Sequence, residues 1–256
     1  MDFVRHTAML TRRNLVTLFR TPAAVLPSLL ISAFFLLVYQ SSLSKISVLP
    51  AFAGQSYLGF ILPVSIVSAS LGGAGLAGQA LVRDLESGYF SKLLLTPVSR
   101  GALLLAAILS GALILGLQAV VIMAIGLLMG LDPATGVSGV VALVVMAVLL
   151  GTGFAGYTVA VALRTGSAEA TQGASFAFFP LTFITSTFVP EELLSGWIKV
   201  LTPFNPITYV LQAMRATLNT GWDGAVLLRG LAAAVGLGLV TYIFAVASLR
   251  ARTRAS

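Results

Sequence analysis

Apolar residues fall into six long runs, 23–39, 57–81, 102–129, 140–163, 170–189 and 231–249, and none of them contains Asp, Glu, Lys or Arg. A hydrocarbon core about 30 Å thick takes about 20 residues of α-helix, so the pattern predicts six transmembrane helices and an all-α integral membrane fold. The third run is long enough to tilt or to extend past the membrane surface, with Gly126 and Gly130 loosening its end. Between the runs lie an opening stretch 1–21, a polar segment 82–100, and a Pro-broken segment 190–229 that is too polar to span. The chain 1–256 reads as a single transmembrane domain.

The positive charges orient these helices. With the N-terminus in the cytoplasm, the inner segments hold Arg5, Arg12, Arg13, Arg20, Arg83, Lys92, Arg100, Arg164, Arg250, Arg252 and Arg254, and the outer ones only Lys45, Lys199, Arg215 and Arg229. Eleven against four puts both termini inside and predicts a multi-pass protein of the cell membrane. The first apolar run has no Ala-x-Ala site behind it, so residues 1–21 read as a retained helix and not as a cleaved signal. On a helical wheel Arg5, Arg12, Arg13 and Arg20 share one arc, as in an interfacial helix with its arginines near lipid phosphates, although Met9 and Val16 intrude on it. His6, the one histidine, has no partner for metal or triad chemistry.

Composition narrows the function classes. A chain 58% hydrophobic and 9% charged could not cover its apolar surface in water. Its net charge of +7 is spread over the ends of the apolar runs and forms no stripe, which argues against nucleic acid as a partner. Zero cysteines remove disulfides, thiol catalysis and Cys-based zinc. The segments Gly73 to Gly78 and Gly151 to Gly156 both match G-x-G-x-x-G, but they lie inside membrane-length runs, where neither a preceding strand nor water is expected. They read as small-residue surfaces for close helix approach, as do Gly126 and Gly130. Asp132 to Gly136 is a turn. The runs offer no ionisable group for proton or sodium coupling, and Gln79, Gln118 and Gln172 are neutral residues suited to interhelical hydrogen bonds. P-loop, catalytic triad and facing carboxylates are all missing, so the chain reads as a non-enzyme whose work is powered from outside.

The segment 82–100 is where a soluble engine could take hold. As a helix from Asp84 to Leu95 it has an apolar side of Leu85, Tyr89, Phe90 and Leu93, with Asp84, Ser87, Ser91 and Lys92 opposite. Asp84 and Glu86 would suit the positive end of the helix dipole, and Pro97 would end the helix. Glu86 falls on the apolar side and needs a cation, either Arg83 or one from another protein. The plainer alternative is a solvated loop with a surface-lying helix.

These residues resemble the cytoplasmic segment of the type-2 ABC transporter permeases, the ABC-2 family. The likeness runs through Asp84, Glu86, Gly88, Leu93, Leu94, Thr96, Pro97, Val98, Ser99 and Arg100, and Tyr89-Phe90 is similar to the drug-resistance branch of daunorubicin-exporter permeases. Tyr89 departs from the Thr of many members. A second stretch, Phe188-Val189-Pro190, Trp197-Ile198, then Pro203 to Tyr209 and Arg215, resembles the family's extracellular segment of short re-entrant helices before the last span. The resemblance implies half of a dimeric export channel, working with a second permease and with separate ABC ATPase subunits that carry ATP and Mg, this chain itself holding no cofactor. It assigns the coupling role to Arg83, Asp84, Leu85, Glu86, Gly88, Tyr89, Phe90, Lys92, Leu93, Thr96 and Pro97, with the interfacial helix as a second contact. It places a substrate path along the second and fifth spans, with Gln79, Phe176, Phe178, Phe179 and Phe183 as candidates. The extracellular cap would be Pro190, Trp197, Asn205, Pro206, Tyr209 and Arg215. The expected cargo is a hydrophobic or amphipathic drug-like molecule. Alternatives are a lipid or glycan-lipid cargo, a non-transporting assembly subunit in the same membrane, and an ion-coupled carrier.

Overall fold

The computed structural model describes residues 2–52 and 55–255, so Met1 of the predicted interfacial stretch lies outside the described residues. Among the described residues its regular elements are helices: α1 Asp2–Phe19, α2 Pro22–Leu43, α3 Tyr57–Glu86, α4 Tyr89–Leu94, α5 Arg100–Leu128, α6 Gly136–Thr165, α7 Ala168–Ser175, α8 Phe178–Phe183, α9 Gly196–Leu201, α10 Pro206–Arg215 and α11 Gly224–Ala255, with short tighter or wider helical turns between some of them. Four stretches, Val25–Val48, Arg100–Leu128, Gly136–Thr165 and Gly224–Arg254, are long and apolar enough to cross a membrane. The 30 residues of α3 extend about 45 Å at 1.5 Å per residue.

Local chemistry sets where these helices start and stop. Ser99 Oγ accepts from the Ala102 amide to cap α5, Ser167 Oγ from Ala170 to cap α7, and Asn205 Oδ1 from Ile207 to cap α10, which has Pro206 in its first turn. Gly88 at φ 69° ends α3, and Gly166 at φ 62° ends α6.

The centre of the bundle is α6, packed on α5, α3, α7 and α11, while α2 lies along α3 and α1 along α5. One buried cluster, including Ile61, Leu62, Ile122, Leu150, Phe154 and Met214, fills one half of the bundle. A second, including Leu81, Val82, Phe90, Leu104, Leu163 and Leu249, fills the other. The close approaches run through glycine: a Cβ on Gly78 would lie 2.7 Å from the Thr158 carbonyl oxygen, and one on Gly151 3.1 Å from Ala112 Cα. Both G-x-G-x-x-G stretches are thus helix-packing surfaces. Gly126 does the same against Leu62, whereas Gly130, at φ 92° with open space around it, belongs to the turn after α5.

Both chain ends meet segment 82–100 at one end of the bundle. Arg13 binds Asp84, Arg100 Nη1 donates to Thr253 Oγ1 over 3.2 Å, and Arg252 Nη1 to the Leu163 carbonyl over 2.9 Å. At the opposite end Thr135 Oγ1 donates to the Thr217 carbonyl over 2.7 Å.

Three expectations need correction. The run 170–189 is not one helix but α7, α8 and an irregular strap to Pro190. Pro180 has no N–H to continue the ladder, and the carbonyls of Leu181 and Ile184 are satisfied by the Asn205 side-chain amide. Segment 84–95 is also broken, since Asp84 and Glu86 end α3 instead of opening a new helix. Finally, α11 begins at Gly224, so Arg229 lies within a helix and not in the 190–229 loop.

Candidate coupling segment and translocation cavity

The residues expected to couple divide into anchors and free groups. Arg13 holds Asp84 with a two-pronged bond, Nη1 to Oδ2 at 2.6 Å and Nη2 to Oδ1 at 2.8 Å. Its guanidinium also lies 4.1 Å from the centroid of the Tyr89 ring. The carboxylate bond raises the pKa of Arg13 above its ordinary value. One arginine therefore ties α1 to both sides of the Gly88 break. Phe90 is buried in the second core cluster, Leu85 and Leu94 pack beside it, and Leu93 is partly buried. Arg83, Glu86, Lys92, Thr96 and Pro97 are exposed.

Glu86 resolves as a free group. Among the described residues the one ion pair is Arg13–Asp84, so Arg83 does not neutralise Glu86. On α1 the predicted basic arc splits: Arg5, Arg12 and Arg20 remain exposed, while Arg13 turns inward. The sequence reading left out Leu95, whose surface is 89% exposed at the tip of the segment. Its signal was an apolar residue between Leu94 and the Thr96-Pro97 turn, at a position with nothing to pack on.

Behind this segment, along α3, is a cavity of about 420 Å³. Its walls are Ser28, Ile31, Phe35 and Tyr39 of α2, Val64, Ser68, Leu76 and Gln79 of α3, and Gln172, Phe176, Phe179, Thr182, Phe183, Thr187 and Phe188 of the broken segment. Four of the five predicted path residues line it. Phe178 does not: it is buried against Phe154 and Tyr157, at ring separations of 4.3 and 5.1 Å. Gln79 Nε2 donates to Gln172 Oε1, closing a polar floor at one end. Aromatic rings line the rest, with Phe35 stacked on Tyr39 at 5.5 Å, Tyr39 edge-on to Phe188 at 5.0 Å, and Phe179 against Phe183 at 4.8 Å. The first span was not predicted to take part, although Phe35 and Tyr39 stand four apart, the spacing that stacks rings on one helical face.

The cap residues lie beyond this cavity. Trp197 is exposed, Tyr209 Oη donates to the Pro203 carbonyl over 2.7 Å, and Asn205 is buried where it caps α10 and binds the strap. Arg215 is not a solvated outer charge. It is 7% exposed, its guanidinium 3.5 Å from the Phe60 ring centroid, and its Nε, Nη1 and Nη2 donate to the Phe60 carbonyl (2.9 Å), Ser186 Oγ (2.9 Å) and the Thr187 carbonyl (3.3 Å). Desolvation pulls its pKa down, to about 9, so it stays a cation at neutral pH. Beside it opens a second cavity of about 380 Å³ that includes Glu191, Glu192 and Gln212. Pro190 lines the same space.

Comparison with known proteins places this arrangement. The chain is 24% identical over 213 residues, 83% of its length and 76% of the relative's, to the probable doxorubicin resistance ABC transporter permease protein DrrC of Mycobacterium tuberculosis. It is 26% identical over 200 residues, 77% of this chain and 69% of the other, to the daunorubicin resistance ABC transporter permease protein DrrB1 of Streptomyces coeruleorubidus. The putative transport permease ycf38 of Cyanophora paradoxa is 22% identical over 215 residues, 83% of this chain and 74% of that one. With the sequence profile described as "ABC-2 type transporter" matching residues 5–219, which takes in α1, the coupling segment, the cavity and the cap, the chain belongs to the ABC-2 type transporter family.

Proposed function

We propose that this permease moves a hydrophobic or amphipathic, drug-like substrate out of the cell, driven by separate ABC ATPase subunits that bind ATP and Mg, as half of a dimeric channel. The observation that carries the reading is the single helix α3, which has the coupling segment at one end and one wall of the aromatic cavity along its length. Glu86 is the last residue of that helix, and a push on Lys92 or Leu95 reaches it across the Gly88 turn. In this reading α2, α3, α5, α6, the broken segment 168–189 and α11 make six crossings, with both termini and segment 82–100 in the cytoplasm. The charge asymmetry supports that orientation. The cavity has the size and lining of a small-molecule site, apolar and aromatic with a few polar groups. The relatives' names make an anthracycline the first substrate to test.

The experiment is reconstitution with the partner ATPase in lipid vesicles, following ATP turnover and doxorubicin accumulation. Drug-stimulated turnover and ATP-dependent transport are expected, and both are expected to fall on Glu86→Lys or Leu95→Asp while the permease stays folded. Movement of a labelled lipid with no response to drug replaces this cargo with the lipid alternative. A complex that assembles, hydrolyses ATP and moves neither leaves the scaffold reading.

A further inference from the structure

The two cavities share α3 and the strap as walls. Phe60 and Ser186 line the outer cavity together with Arg215, whereas Val64, one turn along α3 from Phe60, and Thr187, next to Ser186, line the inner one. Arg215 holds both walls, α3 through the Phe60 carbonyl and the strap through Ser186 and Thr187. All three acceptors are neutral. A buried cation in this state is held by hydrogen bonds and the face of the Phe60 ring, and losing the hydrogen bonds with no replacement would leave an unpaired charge out of water. A replacement stands nearby: Glu191 and Glu192 line the same outer cavity, and among the described residues Glu191 is engaged only by a neutral donor, Gln212 Nε2 at 2.9 Å.

We propose that Arg215 is the positioning residue that closes the inner cavity on its outer side, and that Glu191 and Glu192 receive its guanidinium when the cavity opens. The inference rests on the inner cavity being the substrate path. Movement of α3 under load from the coupling segment draws the Phe60 carbonyl away from Nε. The freed guanidinium then exchanges neutral acceptors for carboxylates and swings toward the outer chamber, and the strap parts from α3. The glutamates hold the open state and the three neutral bonds hold the closed one.

The absence of cysteine from the sequence makes the test direct, since an introduced thiol is the sole one. Ser68→Cys places it on the inner cavity wall with little change in volume. A membrane-impermeant maleimide is applied from outside to cells carrying the permease and its ATPase. Arg215→Met is expected to raise the resting labelling rate several-fold, and Arg215→Lys, which keeps the charge but cannot bridge three acceptors, to fall between. Glu191→Gln with Glu192→Gln is expected to leave resting labelling unchanged and to lower the ATP-driven rate several-fold. Ala147→Cys, buried in α6, reports unfolding and is expected to stay unlabelled in every background.

ATP-driven labelling that is present but unaffected by the glutamate substitutions overturns the proposal. So does an Arg215→Met protein that resists resting labelling while ATP still opens the Arg215 protein, an outcome that leaves the substrate path intact. Absence of labelling in every variant and condition removes the path along with its gate. If Arg215→Met exposes Ala147→Cys, the glutamate comparison, made on a protein that keeps Arg215, decides alone.

Discussion

At the scale of the residue, Arg13–Asp84 shows what kind of interaction a coupling segment can rest on. Arg13 and Asp84 are 39% and 21% exposed, so solvent screening limits even this two-pronged pair to about 0.5–1 kcal/mol. Its value lies in position, because the same guanidinium covers Tyr89 beyond the Gly88 break. Arg13→Gln and Asp84→Asn are each expected to lower the thermal unfolding midpoint in detergent by about 1–4 °C. The double variant is expected to lose no more than the larger single loss, and high salt to shrink all three effects. Additive losses would show that the two residues act separately. The sequence pointed to Arg13 and to Asp84 but not to their union, because the partners stand 71 residues apart and nothing local distinguishes Arg13 from Arg12. The glycines of 73–78 and 151–156 were legible, since in an apolar run a glycine has little use except close approach, and the Thr158 carbonyl and the Ala112 backbone are what they approach.

At the scale of the element, the break at Gly88 decides how a push is transmitted. Segment 82–100 was legible as the polar interruption between two apolar runs, but its shape was not, because apolar spacing continues smoothly from Leu85 through Leu93 and only the φ of 69° at Gly88 interrupts the helix. A Cβ there meets nothing within 4 Å, so Gly88→Ala acts through backbone conformation alone, at a cost of about 1–2 kcal/mol. Gly88→Ala is expected to lower drug-stimulated ATP turnover with basal turnover kept, and Gly88→Asn, which tolerates the left-handed conformation, to recover most of it. Equal loss from both would mean that the site needs a missing side chain and not a turn. The broken helix at 170–189 was hidden for a related reason. Hydropathy registers that the run is apolar, whereas the break depends on Pro180 and on an amide supplied by Asn205, more than twenty residues downstream.

At the scale of the whole molecule, what remains uncovered is informative. Leu30, Ile31 and Phe34 of α2 and Phe176, Phe179 and Phe183 on the opposite side of the inner cavity are exposed, as are Leu239, Val240 and Ile243 of α11. In a bilayer either surface can face lipid, so exposure alone does not locate the second permease of the proposed dimer. Geometry separates them: the α2 and α8 residues flank the aromatic cavity, and a second copy seated there would complete a path between two chains, while one seated on α11 would leave two unconnected cavities. The cysteine-free sequence permits the comparison. Single cysteines at Phe34 or Phe183 are expected to give disulfide-linked dimers on mild oxidation in membranes, and cysteine at Ile243 to stay monomeric. Cross-linking confined to Ile243 would place the partner on α11, and the path would then have to run within one chain, between α2, α3 and α8.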